Sequence, residues 1–265
     1  MAIGFIAASL RKEMLMTTPD WVARNRRASY NAMPGFPWTA AFKLSQEAAR
    51  DLVVSYVLNN LLTLEKSVTF GADGAPTYPA IGQRAALKLE NIGGVRFVPD
   101  SKAAARWTAT GAMDLRTAVL AVRLGTFLRS SKWAVSTIFW GGMGVGRHDD
   151  DRHGKGYAID FHGAITNLGK FDVAADWGKQ PITLPNGQTA RAWPLTVRPY
   201  FRLDADTPAG GFFKTVYHFL AGEAADNGKA NESSIGDPSR ILHPDTPDAG
   251  LRPSHQDHVH CEIDR

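Results

Sequence analysis

Three of the chain's eight histidines, His255, His258 and His260, stand within six positions of one another. A fourth, His153, lies seven positions before Asp160. Imidazole and carboxylate are the usual donors to zinc and related divalent ions. Two short segments about a hundred residues apart therefore concentrate metal-type ligands.

Strand geometry sharpens the pattern, because successive side chains point to opposite faces. As a strand, Gly156 to Phe161 puts Gly156, Ala158 and Asp160 on one face and Tyr157, Ile159 and Phe161 on the other. The second set suits a core. The first is small apart from Asp160 and leaves room beside a carboxylate. A closing strand from His258 to Ile263 repeats the design, with His258, His260 and Glu262 opposed to Val259, Cys261 and Ile263. If the two strands are neighbours, Asp160 and His260 meet on a common face. A turn through Gly154 and Gly156 then returns His153 to the same point. Two imidazoles and a carboxylate leave a fourth position for water, as in a catalytic zinc site. Taken singly, each residue has a plainer reading. A lone histidine is usually a satisfied core residue, and clustered groups mark sites only by their combination. The same donors suit Fe(II), but such sites place the first histidine and the acid closer together in sequence. The run Asp149-Asp150-Asp151 beside His148 reads as a solvated loop, and Cys261 as an inert buried thiol.

The elements that must position these residues follow from capping and periodicity. Ser45 caps a helix expected to run to about Glu65, with Leu52, Val53, Tyr56, Val57, Asn60, Leu61 and Leu64 at helical spacing and Asn60 the one polar member. Asp114 caps a second helix to about Arg129. Trp133 to Trp140 is β-branched and aromatic and reads as a strand. Pro185-Asn186-Gly187 predicts a hairpin between Ile182-Thr183-Leu184 and Thr189 to Trp193. Gly211 to Ala221 reads as a helix, and residues 226–254 as loop. Helices and strands do not alternate regularly, which predicts an α+β fold with a central antiparallel sheet and flanking helices.

The bulk composition narrows the class. With 265 residues, 44% hydrophobic and 21% charged, the chain is ordinary globular material. Lys plus Arg exceed Asp plus Glu by 30 to 26, a mild excess that favours polyanions without choosing one. No basic run, zinc-finger spacing or aromatic RNA signature is present, so nucleic acid is not an expected partner. One cysteine excludes an intramolecular disulfide framework. No apolar run approaches the roughly 20 residues of a membrane span. The apolar start, Met1 to Leu10, has no basic residue ahead of it and makes a poor secretory signal.

Taken in order, His153-x-x-Gly156-x-Ala158-x-Asp160 and His258-x-His260 resemble the signature of the D-Ala-D-Ala carboxypeptidase group. That group belongs to the superfamily with lysostaphin and sonic hedgehog. The pattern is most similar to bacterial extensin-like C-terminal domains, with Arg147 ahead of the first motif and His255-Gln256-Asp257-His258-Val259-His260 as the second. The closing histidine triplet also resembles penicillin-insensitive murein endopeptidases. The likeness covers roughly residues 110–265, which implies a zinc peptidase domain at 106–265 and an N-terminal extension of unknown role at 1–105. Asp151 stands where many members have Ser, Asp257 where many have Glu, and the cysteines of extensin-like proteins are missing.

The resemblance implies that His153, Asp160 and His260 bind Zn2+. His258 or Asp257 would be the general base, with strand parity favouring His258. Arg147, with Arg152 as its alternative, would meet a developing oxyanion or a substrate carboxylate. His255 would support the site or touch substrate. The implied activity is hydrolysis of amide bonds in peptidoglycan stem peptides or cross-links, as endopeptidase or carboxypeptidase. A zinc-containing binding module without turnover is the alternative. Such an enzyme acts in the periplasm or cell wall. Without a recognisable leader, two settings stay open: a phage lytic enzyme released at lysis, or an antibacterial effector with a secretion-system carrier and an immunity protein.

Overall fold

The computed structural model describes residues 39–65, 69–70, 76–77, 84–100, 106–145, 151–177, 181–183, 189–191, 207–224, 241–244 and 255–263. The first half holds α1 (Gln46–Leu58), β1 (Leu62–Leu64), β2 (Thr69–Phe70), β3 (Pro76–Thr77), β4 (Arg84–Ala85), β5 (Leu87–Ile92), β6 (Arg96–Pro99), β7 (Met113–Asp114) and α2 (Leu115–Ser130). The second holds β8 (Thr137–Gly141), β9 (Ala158–Thr166), β10 (Gly169–Asp172), α3 (Val173–Asp176), β11 (Pro181–Thr183), β12 (Thr189–Arg191), α4 (Pro208–Ala224), β13 (Ile241–Leu242) and β14 (Val259–Glu262).

The α+β class is as expected, but the sheet is mixed rather than purely antiparallel. Its strands run in the order β13-β14-β9-β8-β6, and β10 also pairs with β9. β6 and β8 are parallel, from Arg96 opposite Thr137 to Pro99 opposite Trp140. Parallel neighbours need a long crossover, and α2 lies on it. One edge of β9 pairs with β8, while β14 and β10 share the other along successive stretches. The expected extension at 1–105 therefore does not stand apart where it is described. β6 is a strand of the central sheet, and Val53, Leu62, Leu87 and Phe97 join the same core as Phe161 and Phe212.

Local chemistry explains the element limits. Ser45 Oγ accepts from the amide of Ala48, as expected of a cap. α1 then stops at Leu58, short of the expected Glu65. Asn60 takes a left-handed φ of 56°, a conformation asparagine tolerates. Leu61 N donates to Tyr56 O and Asn60 N to Val57 O, the paired bonds that close a helix end. Leu62 and Leu64 are buried through strand alternation, not through a further helical turn. Asp114 caps α2, its carboxylate accepting from Arg116 N.

α2 is buried from Leu115 to Leu128, enclosed by α1, α4 and the strands. That placement buries Arg123, which must then be paired. Its Nη1 meets Glu223 Oε2 of α4 at 3.0 Å and donates to Thr39 O, and Glu223 also accepts from Ala41 N. α4 runs three residues beyond its expected span at each end, Gly211 and Ala221. Phe212 stands among Trp133, Phe161, Phe171 and Phe213, with ring centroids 5.4–6.1 Å away. The predicted hairpin is β11 on β12, with Ile182 opposite Ala190. β8 begins at Thr137, later than the expected Trp133. β13 lies inside the stretch expected to be loop and pairs with β14, Leu242 opposite His260. Among the described residues, no helix is long and apolar enough to cross a membrane.

Candidate metal centre

β14 lies against β9 with His260 directly opposite Asp160, and the register fixes their meeting. His260 Nδ1 is 2.9 Å from Asp160 Oδ1. His260 Nε2 is 3.5 Å from Glu262 Oε2, on the same face two residues on. Glu262 is also 3.8 Å from the Arg152 guanidinium. Cys261 and Val259 alternate into the core, as parity requires.

His153 reaches the same carboxylate from a tight turn. Lys155 N bonds Asp151 O, Gly156 N bonds His153 O and Tyr157 N bonds Arg152 O, winding residues 151–157 into a helical coil. Gly156 ends it at φ 75°, and a Cβ there would lie 2.5 Å from Met113 Cα. His153 Nδ1 is 3.0 Å from Gly142 O, so that nitrogen donates its proton to the carbonyl. Nε2 is left as the lone-pair nitrogen, 3.4 Å from Asp160 Oδ2. Gly142 must itself be bare, because a Cβ there would lie 2.1 Å from His153 Nδ1. The glycine run after β8 is thus the seat of the imidazole.

His258, just before β14, sets Nε2 3.5 Å from Asp160 Oδ1 and Nδ1 2.7 Å from Asp257 Oδ1. Asp257 is largely exposed. His255 packs its ring 5.0 Å from His258 and 5.4 Å from His260. Arg147 lies outside the described residues, as do His148, Asp149 and Asp150. Arg152 is at the rim, on Glu262.

One residue at the site carried no role in the sequence reading. β9 continues past Phe161 to Thr166, with a bulge where its register on β8 shifts between Phe139 and Trp140. Phe161 and Ala164 both face the core across that bulge. His162 lies beside His258, ring centroids 5.1 Å apart, with Nδ1 3.2 Å from Asp100 Oδ2. Strand parity was the available signal: extending the strand one residue puts His162 with Asp160. His243, by contrast, is fully buried against Trp177 and Tyr217.

The electrostatics suit a cation. Burial alone would raise the pKa of Asp160, but the hydrogen bond with His260 and the imidazoles of His258, His260 and His153 hold it well below the usual carboxylate range. Burial likewise disfavours charge on His260, yet its bonds to Asp160 and Glu262 raise it to about 9. Burial lowers His153 despite the charge of Asp160, which keeps its Nε2 unprotonated. The hydrogen bond to His258 lowers Asp257.

One atom each from His153, Asp160 and His260 lies within 4.8 Å of the others, a group able to hold a metal ion. Two ligands about 2.05 Å from one tetrahedral ion stand roughly 3.3 Å apart, close to the His153–Asp160 separation of 3.4 Å. Gly142 O and Glu262 hold the non-ligating nitrogens, the outer support that metal-binding imidazoles require. The chain matches no protein-family model, no curated protein and no solved structure.

Proposed function

We propose that the protein is a zinc peptidase that hydrolyses amide bonds in bacterial cell-wall peptides. The observation that carries this reading is the joint presentation of His153 Nε2, Asp160 and His260 Nδ1 on one face, with His258 beside them. The substrate class rests on the likeness of the two motifs to wall peptidases. The donor set, two imidazoles and a carboxylate, fits zinc.

Zinc held there would polarise the scissile carbonyl and acidify water. His258 is the base in this reading. Asp257 keeps the Nδ1 proton in place, so Nε2 faces the centre with its lone pair and takes the proton of the attacking water. The same nitrogen then returns it to the departing amine. In this reading Asp257 orients His258, and the 2.7 Å contact between them supports a working pair. His255 lines the approach to both imidazoles.

The test is mass spectrometry of muropeptides from purified sacculi incubated with the protein, with Asp160→Ala as control. New fragments that require Asp160 support the reading, and their masses name the bond. Zinc-loaded protein that leaves several wall types unchanged would instead favour a binding module.

A further inference from the structure

A second group of donors stands next to the first and shares no residue with its three ligands. His162, Asp257 and His258 each present a ligand atom within 4.8 Å of the other two. We propose that they form a second, weaker zinc site, whose occupation removes the base and inhibits the enzyme. This rests on the reading of His258 as base.

Three observations support the site. His162 is brought there by the bulge in β9, and although Asp100 Oδ2 lies 3.2 Å from its Nδ1, this buried nitrogen makes no hydrogen bond among the described residues. Gly141 makes room for this ring, since a Cβ there would stand 2.9 Å from His162 Nε2. Asp257 is 58% exposed and can turn from His258 toward an entering ion. The donors are imidazole and carboxylate, a set suited to zinc. Affinity is lower than at the first centre for two physical reasons. The ion must replace the 2.7 Å Asp257–His258 contact, and a neighbouring dication repels it. An ion bound at His258 Nδ1 displaces the proton held there, which passes to Nε2, and draws Asp257 onto itself, so His258 has no lone pair left to accept a proton from water.

The experiment is equilibrium dialysis of the full chain against rising free Zn2+, with bound metal counted by mass spectrometry. Wild type should bind in two steps. His162→Gln and Asp257→Asn should each move the second step at least about tenfold to higher zinc while leaving the first in place. Asp160→Ala should remove the first step. Turnover of wall peptides should fall as the second step fills, and His162→Gln should need about tenfold more zinc for the same fractional loss from its own low-zinc rate. A single step up to millimolar zinc, or a second step unmoved by both substitutions, overturns the site. A first step that survives Asp160→Ala overturns the underlying zinc reading instead, so the two failures are separate.

Discussion

At the scale of single residues, the candidate centre depends on groups outside its proposed ligand set. Glu262 holds His260 Nε2, so Glu262→Gln should weaken zinc binding about tenfold with the fold intact, as chelator competition would read. Unchanged affinity would deny it an orienting role. The pH response of the metal-free protein is also set here. Folded His260 keeps its proton to about pH 9, against 6.5 for an unperturbed imidazole. Its contribution is full below about 6.5 and is lost as pH rises through 9, at most on the order of 3 kcal/mol. Asp160 has a depressed pKa, so its contribution is present above 3.8 and lost as the pH falls below it. Chelated protein should therefore melt progressively lower as the pH rises from about 6.5 toward 9, whereas below 6.5 burial of His153 as a neutral imidazole works against stability. A melting temperature that climbs across the alkaline range would refute this. Alternation made Asp160, His258, His260 and Glu262 legible in the sequence. His162 was hidden because the expected strand ended at Phe161, whereas β9 runs on to Thr166 with His162 at its bulge.

At the scale of elements, the two helix caps make a graded test. Ser45 is a plain cap, and Ser45→Ala should cost about 1 kcal/mol. Asp114 caps α2, binds Arg116 through both oxygens and accepts from Gln46. Asp114→Ala leaves a buried guanidinium without its counter-ion and should cost about 3–5 kcal/mol. Urea unfolding checks both, and equal losses would contradict the argument. Both caps were readable because each is a short-range contact. The end of α1 was not, because Leu61 and Leu64 sit at helical spacing while Leu62 and Leu64 sit at strand spacing, and only Asn60's backbone decides between them. β13 was missed for a related reason: two residues carry no periodicity, and their pairing depends on β14.

At the scale of the molecule, β6 ties the described N-terminal residues to the sheet that carries the site. A fragment beginning at residue 106 should fail to fold, because it removes β6 from β8 and Tyr56 and Leu87 from the core. Sharp dispersion in its proton spectrum would disprove that. The motif segments alone resembled a separable domain, and nothing local in residues 84–100 announces a partner strand some forty residues away across α2. The register of β14 on β9 has one more consequence, which concerns synthesis. Asp160 and His260 are 100 residues apart in the chain, and β14 fits between β13 and β9. While the ribosome is still making the intervening residues, the carboxylate waits on an open strand edge with only His153 for company. The candidate metal centre closes only when β14 emerges and pairs with β9, so the growing chain lacks a complete ligand set through most of its synthesis.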